Sequence, residues 1–150
     1  MSVTTATRPS ATVTAARTPL WRAGLVGALL AAVATEVYTG VIRAAGVHIA
    51  VGNIGGTSED VVEIGPGACA ITVAMCVAAG LVLAAGLNRW ANWPAHTFLV
   101  TACALTALSF GPDLFAGATA TSSKVILMGA HVIAAAIVIP LVSRSLRPHR

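Results

Sequence analysis

Six polar side chains stand where an apolar chain has least use for them: Glu36, Arg43, Thr72, Thr106, Ser109 and His131. Glu36 is the single acid in the run Ala23 to Ile42, AGLVGALLAAVATEVYTGVI, which at about 20 residues is long enough to cross a bilayer. A carboxylate in hydrocarbon is costly unless it is protonated, paired or wetted. An imidazole offers one remedy, since it can donate to the carboxylate or take its proton. Arg43 offers another, because seven residues after Glu36 it falls on the same helical face. A chain with Glu36 and His131 close together would have an exchangeable proton or a cation site inside the membrane.

Helix rise allows their depths to be compared. At about 1.5 Å per residue, Glu36 lies roughly 20 Å and His131 roughly 18 Å above the inner edge of a core about 30 Å thick. Thr72 and Cys76 on a second apolar run, and Thr106 and Ser109 on a third, come to nearly the same level. The expectation is one polar layer in the outer half of a bundle. The stripes Cys69, Thr72, Cys76 and Thr106, Ser109, Asp113 would then face inward.

The elements that must position these groups follow from composition. Of 150 residues, 57% are hydrophobic and 9% charged, and the mean hydropathy is +0.86. Soluble domains are about 25% charged. The class is therefore an all-α, four-transmembrane-helix antiparallel bundle, with spans at about 23–42, 68–87, 95–115 and 123–142. The third span reaches Phe115 only if it passes Pro112; otherwise GPDLFAGATATSSK is loop, with Asp113 and Lys124 as its charges. Pro140 is expected to kink the end of the fourth span.

Residues 1–19, rich in Thr and Ala and without acids, read as a disordered cytoplasmic tail, and 145–150 as a basic one. The membrane domain is 20–144. Arg17 and Arg22 before an apolar run ending Ala32-Val33-Ala34 also resemble a cleavable secretory signal, but the apolar pattern continues through Ile42 and favours a retained helix. Seven of the nine basic residues lie before the first span, between the second and third, or after the fourth. That asymmetry places both termini in the cytoplasm of a multi-pass cell-membrane protein and explains the pI of about 9.6 with no nucleic-acid partner. The loop from Arg43 to Gly65 is expected outside, with a short capped helix over EDVVEI. Ala70, Ala74 and Ala78 offer a small-residue face for helix packing.

Cys69, Cys76 and Cys103 read as small buried apolar residues; a separation of seven puts the first two roughly 10 Å apart along a helix, too far for a disulfide. No nucleophile–base set, metal-ligand spacing or cofactor loop is present in the sequence, so neither catalysis, a metal nor a cofactor is expected.

The fourth span, LMGAHVIAAAIVIPLVSRSLRPHR, places Leu127-Met128, His131 and Pro140 ahead of a basic tail. In this it resembles an uncharacterised actinobacterial family of four-helix integral membrane proteins, a resemblance covering about Leu20 to Arg144 that implies four spans and no known activity. In chemistry the chain is also similar to small multidrug transporters, which carry an embedded acid in the first of four spans. Its long tail and acidic loop depart from them.

Two functions follow. One is an accessory, structural or partner-binding protein, meeting a membrane-protein partner or a second copy of itself, whose polar layer fixes helix packing. The other is a proton-linked binder or transporter of a small solute through Glu36 and His131.

Overall fold

The structure, a computed structural model, describes residues 18–146. Four helices, α1 (Leu20–Ala44), α2 (Ala68–Trp90), α3 (Pro94–Phe115) and α4 (Thr121–Ser145), run antiparallel in succession. Each is long and apolar enough to cross a membrane. The 25 residues of α1 and of α4 extend about 37 Å, longer than a core of about 30 Å, so these helices tilt or project beyond it. Most of the expected 1–19 and 145–150 tails lie outside the described residues.

Around the bundle the order is α2, α1, α4, α3. Helix α1 earns its central place with a stripe of small residues at four-residue spacing: Ala23, Gly27, Ala31, Thr35 and Thr39, all buried. Small side chains let helix backbones approach where lipid gives no hydrophobic drive to association. At Gly27 an added Cβ would already touch the Val138 backbone of α4 at 3.7 Å. Farther along, the Tyr38 ring lies over Gly129 of α4. The two threonines are admitted because each hydroxyl donates to the carbonyl four residues back, at 2.9 Å, and so carries no unmet donor into the contact.

The expected packing face of α2 is corrected. Ala74 and Ala78 are exposed, and Val73, Val77 and Ala84 face the core. Cysteine burial is corrected too: Cys76 and Cys103 are exposed and Cys69 is half-buried, all three as free thiols.

At the end of the bundle that carries the termini, Trp93 precedes α3, whose first residue is Pro94, where a missing N–H costs nothing. Trp90 and Trp93 are exposed there, and the Arg22 guanidinium sits 5.2 Å from the Trp21 ring centroid. These are the amphipathic rings and long cations that settle at a membrane surface.

At the opposite end, residues 45–67 form an ordered lid. Two short strands, β1 (Ala50–Val51) and β2 (Val62–Glu63), pair antiparallel, and the expected helix over EDVVEI is replaced by one 3-10 turn, Ser58–Asp60, followed by β2. Asp60 caps the start of that turn by accepting the Thr57 N–H at 2.9 Å, and the valines that follow favour extended backbone. Ile49 is wholly buried against Ile126 and Leu127.

The lid is stitched to the α3–α4 connection, residues 116–120. Gly117 N donates to Asn53 O at 2.9 Å, Gly55 N to Phe115 O at 3.1 Å, and Gly52 N to Thr119 Oγ1 at 2.8 Å. Glycine is required where the two segments cross, because a Cβ on Gly117 would fall on the Gly56 carbonyl.

Candidate functional site

Two polar centres form instead of a single layer, each with its own logic. The first joins α1, α2 and the lid. Glu36 Oε1 accepts the Ala70 N–H at 3.0 Å, and Oε2 meets Arg43 Nη2 at 3.3 Å. Ala70 is the third residue of α2, so its amide is one of the donors that a helix leaves unsatisfied at its start. The residue ahead of α2 is Gly67, with φ +87° and no side chain to cap with. Glu36 supplies the missing cap from another helix, and its negative charge also suits the positive end of the α2 dipole. Arg43 extends the tie, donating to Thr39 Oγ1 and to Ile64 O of the lid, each at 3.3 Å. The carboxylate in the first span is thereby paired and hydrogen-bonded.

The second centre lies between α3 and α4. His131 Nδ1 is 3.0 Å from Leu127 O and 3.3 Å from Asp113 Oδ2. A carbonyl can only accept, so Nδ1 carries the hydrogen and directs it to Leu127. Phe110 holds the ring edge-on, with centroids 6.2 Å apart and planes at 74°. Asp113 is left with an unusual environment: its side chain is 9% exposed and Oδ2 makes no hydrogen bond despite the nearby ring. Buried carboxylate oxygens are ordinarily satisfied, and those that are not ask for an explanation.

Glu36 and His131 therefore do not meet. Helix rotation separates them: Glu36 turns toward the start of α2, and His131 toward α3. The partner of His131 is Asp113, which belongs to α3 because that helix continues past Pro112 to Phe115. Its signal in the sequence is the four-residue step from Ser109, which places both on one helical face.

Between α2, α3 and α4 lies a cleft of about 760 Å³, within the roughly 300–1,000 Å³ typical of small-molecule sites. At the terminal end Phe98 and Ala102 pack with Ala84, Leu87 and Val142. Beyond Ala102, α3 stays against α4 at His131 through Phe110 and Asp113 but adds no residue to the apolar clusters. Val51 and Ile64 of the lid line the cleft, as do Phe98 and Val142 toward the terminal end. Thr72, Thr106, Ser109 and His131 line it, together with Thr35, Cys69 and Cys76; Glu36 and Arg43 do not. A Cβ on Gly80, in the cleft wall, would meet nothing within 4 Å.

The unsatisfied Asp113 oxygen sets up a stability prediction. Asp113→Asn removes the buried carboxyl with its unsatisfied oxygen while keeping the side chain's shape, so the unfolding midpoint in detergent should hold or rise. A loss above about 2 kcal/mol would make Asp113 a structural tie between α3 and α4 instead.

In comparisons with known proteins, the model described as Family of unknown function (DUF6069) matches residues 15–148. No curated protein and no solved structure matches.

Proposed function

We propose, for a chain that belongs to this DUF6069 family of unknown function, that it is a non-enzymatic multi-pass membrane protein that binds a small amphipathic molecule in the cleft between α2 and α3. The observation that carries this reading is the cleft itself. It is a half-open apolar cavity with a few polar side chains in its wall. Ligand sites combine an apolar wall with few, placed polar groups. Here the opening would lie at hydrocarbon depth, so an apolar chain can enter from the bilayer without crossing water.

The termini are assigned to the cytoplasmic side by the excess of arginines flanking that end, which puts the lid outside. Proton exchange at Glu36 loses support, because its carboxylate is already occupied by Arg43 and the start of α2.

Photolabelling of the full chain in lipid vesicles tests the cleft. An alkyl probe carrying a diazirine is expected to label the wall around Cys76 and His131 more strongly than the outward face of α1. Gly80→Leu, which fills open space and improves helix propensity, should reduce that labelling severalfold with folding intact. Even labelling of all lipid-facing surfaces would refute the reading.

A partner-binding role draws on a different observation. The four-spaced Ala74 and Ala78 are exposed on α2, leaving a small-residue face without a helix against it. Ala74→Leu with Ala78→Leu should then dissociate a complex that survives mild detergent; an unaltered oligomeric state would remove this role.

A further inference from the structure

We infer that the ligand of the cleft carries a hydrogen-bond donor, a hydroxyl or a protonated amine, at its polar end. This rests on the cleft being a binding site, and it comes from asking where each polar hydrogen in the wall already goes. Thr72 Oγ1 donates to Ala68 O and Thr106 Oγ1 to Ala102 O, both at 2.9 Å. Ser109 Oγ donates to Thr106 O at 2.7 Å, and Thr35 Oγ1 to Ala31 O at 2.9 Å. His131 Nδ1 faces Leu127 O at 3.0 Å, an acceptor, so the hydrogen on Nδ1 is already engaged.

Each of these hydroxyls has spent its one hydrogen on its own helix and keeps only lone pairs. In the tautomer with hydrogen on Nδ1 alone, the imidazole likewise presents Nε2 as an acceptor. The two thiols, Cys69 and Cys76, donate weakly. Asp113 Oδ2, 3.3 Å from His131 Nδ1, adds an acceptor behind the ring. A carboxylate or phosphate head would meet lone pairs, with only the weak thiol donors offered to it. An alcohol or ammonium head would find acceptors, and in a dry wall an unmet donor or acceptor is what discriminates between ligands.

The cysteines make a built-in readout, since Cys76 lines the cleft and Cys103, also exposed, does not. The full chain in phosphatidylcholine vesicles is treated with methyl methanethiosulfonate, and labelling is read at each cysteine by peptide mass spectrometry. The probes are 1-dodecanol, dodecylamine, dodecanoate and dodecane, compared at equal concentration in the membrane. Dodecanol and dodecylamine should protect Cys76, with Cys103 unchanged, at concentrations about 3- to 10-fold lower than dodecane or dodecanoate, the worth of one hydrogen bond. His131→Phe, which keeps a ring against Phe110, should weaken the preference while dodecane still protects.

Equal or better protection by dodecanoate reports a protonated ring and overturns the donor requirement, leaving the cleft as a binding site. Protection by none of the four overturns both. The comparison of heads on the unsubstituted chain stands even if His131→Phe fails to fold.

Discussion

Replacing Gly117 with valine is expected to destabilise the protein by about 2–3 kcal/mol, as overpacking does, and to release residues 45–67 to protease. The reason is local and steric. The added Cβ would fall on the Gly56 carbonyl, with Gly56 N at 2.6 Å and the Gly55 carbonyl carbon at 2.9 Å, all backbone atoms that cannot rotate away. Separation of the two segments would break the bonds from Gly117 to Asn53 and from Gly55 to Phe115. It would also draw Val51 and Ile64 away from the cleft they line. Unfolding in graded detergent and limited proteolysis would measure both effects. Gly65→Ala is the matched control, because nothing lies within 4 Å of a Cβ there and no change is expected. Equal behaviour of the two variants would mean that the lid contact carries no stability.

Glu36→Ala should cost roughly 1–3 kcal/mol, the range for charge-assisted hydrogen bonds reduced by partial exposure. Three interactions fail together: the Ala70 amide loses its acceptor, α2 loses the charge at its positive end, and Arg43 loses its carboxylate. Glu36→Gln retains an amide oxygen for Ala70 but not the charge for Arg43, so it should recover about half of the loss. The same measurement separates a structural acid from a proton-exchanging one. A fold held by the cap predicts the order wild type, Gln, Ala; indifference to both changes would indicate an acid kept for some purpose other than holding α2.

The sequence patterns that proved legible are those with a long period. Four apolar runs of about 20 residues leave little freedom about the bundle. The seven-residue step from Glu36 to Arg43 also transfers directly to the structure, since one helix carries both. What depth could not supply was rotation. Glu36 and His131 share a level on helix rise, yet an α-helix turns 100° per residue, and the direction of each side chain is decided by the small-residue stripe of α1. That stripe, from Ala23 through Thr39, was readable in principle at its four-residue spacing. The competing stripe on α2 obscured it.

Asp113 was ambiguous for another reason. Proline after glycine commonly ends a helix, and only the structure shows α3 continuing through Pro112. The lid was beyond any periodic reading, because strands of two residues have no pattern and their pairing depends on contacts with residues 116–120.

The latch between residues 52–56 and 115–119 has a bearing on how the chain is made. Its two sides are separated by α2 and α3, so its bonds can form only once the second hairpin has joined the first. Assembly in the bilayer thus has a defined last step, at the end of the molecule farthest from its termini.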